Sequence, residues 1–211
     1  VAAAFSLLLA LITGIFLSTY GKNASFLIIN KFNNPEFDYF FHYYTYLGDG
    51  MIGIPLLLYV FLFKKEFFFT VIAAFLICAL LTQFSKGVVF AGQPRPILVL
   101  KEQVRTVPGI EVHTTGSFPS GHTSMAFTYA LLMAFLVKRK LWTFLFPIIA
   151  FFVGYSRVYL AQHFVTDVLA GLIVGLTSAF LALLMYERFK RQRKESTGQI
   201  EEFKVHSKNP L

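Results

Sequence analysis

Charge is scarce in this chain. Asp, Glu, Lys and Arg make up 14% of its 211 residues, against about 25% in a soluble domain. With 56% hydrophobic residues beside it, that shortage excludes an ordinary water-soluble domain and points to an integral membrane protein. Cysteine is nearly absent: the single Cys78 excludes an internal disulfide, and its place in an apolar run marks a buried structural thiol rather than a reactive one. No strand pattern is long or regular enough for a barrel, and no set of carboxylates and histidines is spaced for a metal. The net charge of +8 is gathered at the ends of apolar stretches, a distribution that argues against a nucleic-acid partner.

What is abundant is apolar length. A membrane-spanning helix needs about 20 mostly apolar residues, and the stretches Ala2–Thr19, Tyr44–Phe63, Phe67–Ser85, His122–Val137, Leu141–Tyr155 and Val165–Tyr186 approach that. The expected fold is all-α, a polytopic bundle of six transmembrane helices. The fourth and fifth stretches are short and call for tilt or protein-lined ends. The first stretch resembles a signal peptide, but no basic region precedes it, so a retained helix is expected. Lys64-Lys65, Lys138-Arg139-Lys140 and the cluster Arg188, Lys190, Arg191, Arg193, Lys194 fall on one side of this layout. That side is expected to be cytoplasmic, with both termini there and the membrane identified as a bacterial inner membrane. Residues 1–194 then form the membrane domain, and 195–211 a polar, mobile cytoplasmic tail.

Smaller features fit this frame. Asn23–Asp38 reads either as a segment lying in the interface or as a loop. Asp49, in a Gly-Asp-Gly turn, reads as a cap before the second span. Gly171, Gly175 and Ala179 recur every four residues, a smooth face for close helix contact within the bundle rather than between copies.

Three polar clusters all fall on the outer side, where ionisable residues at a membrane boundary mark functional sites. The first is Lys86 with Arg95-Pro96. The second is Pro119-Ser120-Gly121-His122, a turn opening into an apolar helix whose unpaired N–H groups suit an anion. Gly121 permits close backbone approach, the Ser120 hydroxyl offers a donor unless it serves only as a cap, and His122 is placed to move a proton. The third is Ser156-Arg157 with His163 and Asp167. His163 and Asp167 are four apart and would share one face of a helix, letting the carboxylate orient the imidazole as the base is oriented in nucleophilic triads. Arg157 offers a fork of donors matched to phosphate.

Together the clusters resemble the type 2 phosphatidic acid phosphatase superfamily. Pro119-Ser120-Gly121-His122 stands as that family's second motif. Ser156-Arg157, five residues, His163, three residues and Asp167 reproduce its third. The first motif departs: the family has six residues between Lys and Arg-Pro, whereas eight separate Lys86 from Arg95-Pro96, and the usual spacing would put Gln93-Pro94 there instead. Nine positions along a helix land about half a turn away, so the chain must leave helical geometry before Arg95, a break that Gly92 and Pro94 make easy.

The resemblance implies a metal-independent lipid phosphate phosphatase without cofactor, working through a phosphohistidine. His163 is then the nucleophile, Asp167 its orienter and His122 the proton donor. Lys86, Arg95, Ser120, Gly121 and Arg157 hold the phosphoryl oxygens. The site would open on the periplasmic or exterior face, with Ile97–Phe118 as a lid or headgroup filter. Its partners are the bilayer and a lipid phosphate: phosphatidate, phosphatidylglycerophosphate, undecaprenyl diphosphate or a lipid A phosphate. The oligomeric state is left open, with a monomer preferred. Two alternatives share parts of the pattern, a vanadate-dependent haloperoxidase and a non-catalytic lipid-binding or transport protein.

Overall fold

The computed structural model describes residues 1–32, 34–137 and 139–208, and these fold into helices and turns with no strand among them. Lys138, expected in a basic turn, and the last three residues of the expected tail lie outside the described residues. The helices are α1 (Ala2–Asn30), α2 (Pro35–Tyr44), α3 (Gly53–Phe63), α4 (Phe68–Phe84), α5 (Pro96–Leu100), α6 (Gly121–Val137), α7 (Trp142–Tyr159) and α8 (Val165–Lys208).

The all-α membrane fold holds, but the six expected spans are not six like helices. Among the described residues, four helical stretches are long and apolar enough to cross a membrane: Ala2–Asn30, Lys65–Val89, Trp142–Tyr159 and Val165–Arg193. The expected second span, Tyr44–Phe63, is broken. Pro35–Gly48 and Gly50–Phe63 meet at a bend of 59°, and α3 itself is only 11 residues long. The break has a local cause. Asp49 leaves helical geometry and its carboxylate accepts from Met51 N at 2.9 Å, the capping role expected for it. Gly48 beside it is pressed so closely on α6 that an added Cβ would lie 2.6 Å from His122 O. The α6 helix is apolar but, at 17 residues, is the shorter kind.

Other boundaries move as well. The first helix runs on to Asn30, bent at Gly21 (φ 74°) where the backbone leaves helical geometry. Much of Asn23–Asp38 is therefore the end of α1, with Phe26 and Asn30 fully buried. A turn follows, and then α2, whose Asn34 cap accepts from Glu36 N at 2.8 Å. At the other terminus α8 continues as helix through Lys208.

Helices α6, α7 and α8 carry the core. A Cβ on Gly171 would sit 2.6 Å from Ser120 O, and one on Gly175 nearer still to Ser124 O, while Ala179 is fully buried. The small-residue face of α8 thus lies against the backbone of α6. Phe127, Val153 and Leu172 fill the space between the three helices. At the far end Phe67 packs on Phe135 and Tyr186, which gathers Lys64, Lys65, Arg139 and Arg188 near one end of the bundle. The starts of α6 and α8 and the ends of α4 and α7 meet at the other.

Candidate active site

That second end holds the three polar clusters that contain Lys86 and Arg95, Ser120 and His122, and Arg157, His163 and Asp167. Its frame is backbone. Ser120 N donates to Asp167 O at 2.9 Å, joining the start of α6 to the start of α8. Beyond α7 the chain turns through Ala161, which takes a left-handed conformation (φ 60°). The turn lets Gln162 N and His163 N both donate to Arg157 O, at 2.9 and 3.1 Å. His163 is consequently fixed relative to Arg157 by main-chain bonds alone.

His163 is not on a helix, contrary to the spacing argument. It precedes α8, and Asp167 sits in the first turn. The Asp167 carboxylate reaches back to accept from Phe164 N at 3.0 Å, half of a capping box. The same oxygen, Oδ2, accepts from Ser117 Oγ at 2.5 Å and lies 3.5 Å from His163 Nδ1. That separation falls short of a well-formed hydrogen bond, and His163 Nδ1 is buried with no other partner. Catalytic hydrogen bonds in free enzymes commonly tighten only around substrate. Burial, reinforced by the nearby charges of Arg157 and Arg95, lowers the His163 imidazole below its ordinary range against the opposing pull of Asp167. Burial thus favours the neutral ring.

The cations converge on it. Arg157, 8% exposed, donates from Nη1 to Thr45 Oγ1 at 2.8 Å, and its Nε is buried without a partner, the kind of donor an anionic oxygen satisfies. Arg95 is buried too. It donates from Nε to Thr115 O at 2.9 Å and from Nη1 to Gln162. The helix does break between Lys86 and Arg95: a wider π-turn at Ser85–Val89 follows α4, and Gly92 takes φ 72°. Lys86 donates to Gly116 O at 3.1 Å rather than reaching back toward headgroups. The charges of Arg157, Lys86 and Arg95 all act on His122, which lines a pocket of about 220 Å³ with Arg157, Gln162, Thr45, Tyr46 and Ile110.

Ser120 and Gly121 play quieter parts. Ser120, fully buried, accepts from Thr123 N at 3.4 Å and from Thr123 Oγ1 at 2.9 Å; it caps α6. A Cβ on Gly121 would make only ordinary contact, 3.7 Å from Thr82 Cγ2. Three residues beyond the motifs join the site: Ser117 on Asp167, Thr45 on Arg157 and Gln162 on Arg95. Thr45 lies 112 positions from its partner, so no local pattern could have disclosed it. Gln162, beside His163, had position in its favour.

Two histidines and three cations are thus gathered at one end of a helical membrane bundle. The chain belongs to the PAP2 superfamily, whose family model matches residues 52–191. It is 42% identical over 110 residues to phosphatidylglycerophosphatase B of Bacillus subtilis, covering 46% of this chain and 54% of that protein. It thus spans about half the length of that relative. It is 30% identical to the lipid A 4'-phosphatase of Porphyromonas gingivalis over 76% of this chain and 71% of that one. Among solved structures it superposes on Aquifex aeolicus LpxE with a TM-score of 0.68 and 34% identity, over 75% of this chain and 92% of the other. These relatives do not favour the haloperoxidase or transport alternatives.

Proposed function

We propose that this chain is an integral membrane lipid phosphate phosphatase acting through a covalent phosphohistidine. The observation that carries the reading is a buried His163 on which the charges of Arg95 and Arg157 act, next to a pocket lined by His122, Arg157 and Gln162. A neutral imidazole has the lone pair that a nucleophile needs. His163 attacks phosphorus through Nε2 while the Asp167 carboxylate accepts a hydrogen bond from Nδ1–H, drawing closer from its present 3.5 Å. Arg157, Arg95 and Lys86 spread the charge of the three phosphoryl oxygens, the larger part of catalysis in phosphoryl transfer. The Ser120 hydroxyl and the start of α6, with Gly121 N–H, add donors. His122 gives a proton to the departing lipid oxygen, and the P–O bond breaks as the P–N bond forms. Water then attacks the phosphohistidine, with His122 taking its proton. The chemistry as written needs no metal or cofactor.

The substrate is a phosphomonoester or diphosphate on a lipid anchor: a phosphatidylglycerophosphate or a lipid A phosphate, the kinds named for these relatives, with undecaprenyl diphosphate and phosphatidate as further candidates. A pocket at the helix ends suits a headgroup in water with its tails in the bilayer. The basic end of the bundle faces the cytoplasm, so the site opens outward from a bacterial inner membrane. Residues 1–194 form the catalytic unit and 195–211 a cytoplasmic extension, acting as a monomer. Purified protein in detergent should release phosphate from at least one of these lipids, without inhibition by chelator and with loss of turnover in His163→Ala. Phosphate release that survives His163→Ala, or that a chelator stops, would overturn the mechanism.

A further inference from the structure

Arg95 reaches the site from a loop, not from the helix that carries Lys86, so something other than helical register must aim it. Gln162 is the candidate. It is 2% exposed, and its backbone O and side-chain Oε1 each accept from Arg95 Nη1 at 3.0 Å. Its Nε2 donates to Glu111 O at 2.9 Å. Glu111 lies in the segment Gly109–His113, of which Gly109, Ile110, Glu111 and His113 line the pocket beside His122. One planar amide therefore touches both the phosphate-binding cation and the loop over the pocket. Its main chain is in turn fixed to Arg157 O.

We infer that Gln162 is a positioning residue that aims Arg95 at the phosphoryl group and ties the pocket loop to it, a role that rests on the phosphatase reading above. The amide is suited to this because it accepts on one side and donates on the other. Two hydrogen bonds hold Nη1 and one holds Nε to Thr115 O, which leaves the remaining terminal nitrogen, Nη2, for an incoming oxygen. Methionine in place of Gln162 keeps the side-chain length and loses both amide bonds. Glutamate keeps the acceptor but loses the donor, and brings a negative charge beside the phosphate.

The test is inhibition by orthovanadate, a phosphate-shaped anion, measured on the full chain in detergent with thermal unfolding followed in parallel. In Gln162→Met the vanadate inhibition constant should rise about tenfold, the scale of a lost hydrogen bond to a charged group. In an Arg95→Ala background the same change should cost less than about twofold, because the interaction it supports is already gone. Gln162→Glu should weaken vanadate at least as much as Gln162→Met, and it serves as the readout if the methionine variant does not fold. An inhibition constant unchanged in both variants, or an equal fold-loss with and without Arg95, would overturn the assignment. Wild-type protein that releases no lipid phosphate would instead count against the phosphatase reading itself.

Discussion

The two halves of the site are held by different means. His122, Arg157, His163 and Asp167 stand on α6, α7, α8 and the turn between the last two, where close helix packing and main-chain bonds fix them. Gly171 and Gly175 let α8 approach the backbone of α6, and Ser120 N binds Asp167 O across that junction. Lys86 and Arg95 belong to a π-turn and a loop, secured through carbonyls of Thr115, Gly116 and Gln162. The first half is a rigid constellation and the second a strapped one. Arg157 and His163 are held to one spacing by main-chain bonds across the turn between α7 and α8, whereas the loop that carries Arg95 has room for the two further residues that separate it from Lys86.

The largest effects should come from the packed half. His163→Ala removes the proposed nucleophile and should lower kcat/KM by about 10³-fold or more, read from phosphate release by protein whose thermal unfolding is unchanged. Arg157→Lys loses the planar fork in a buried place and should cost about 10²-fold. Arg95→Lys, on the strapped side, should cost less, about tenfold. A reversal of those two would break the comparison.

Stability should divide in the same way. Gly171→Ala forces a Cβ into the Ser120 carbonyl and should destabilise by about 1–3 kcal/mol, seen as a lower Tm. Gly92→Ala strains a positive φ but meets no neighbour within 4 Å, and should cost about 1 kcal/mol.

The smallest effect is a shift in pH dependence. The His163 pKa is lowered in the folded protein. Between that value and an unfolded one of about 6.5, the unfolded chain binds more protons, so stability falls as pH drops through this window. Activity depends on the same neutral ring, and the acid limb of kcat/KM should lie below the ordinary histidine range. Arg95→Ala removes a nearby positive charge and should move that limb upward. A limb already at the ordinary value in the wild type would contradict the burial argument.

Much of this was legible in the residues. The residues of the packed half were named from their motifs, though not the turn that carries His163, and the Gly171, Gly175, Ala179 face was readable from its repeat. The break at Gly48-Asp49-Gly50 could be read as a turn. Hydropathy alone does not reveal that the apolar run beyond it makes only a short helix while α2 takes the polar side. The Asp38 carboxylate pairs with Arg105 and accepts from Tyr159 Oη at 2.5 Å, while Asn30 Nδ2 donates to Arg105 O and Tyr159 O. That network anchors the pocket loop to α1, α2 and α7. It joins residues up to 129 positions apart, and nothing local marks it. His163 was placed on a helix because a four-residue spacing suits one. A capping carboxylate that reaches back from the first turn of α8 produces the same proximity.

In the proposed mechanism His163 itself takes the phosphoryl group while His122 serves the leaving oxygen. Rapid acid-free quenching of wild-type protein with a lipid phosphate labelled at phosphorus, followed by peptide mapping, tests it most directly. The label should appear within the first turnover on the peptide carrying His163, and it should be absent in His163→Ala. Label on His122 or on a serine, or turnover with no labelled peptide at any time point, would contradict it.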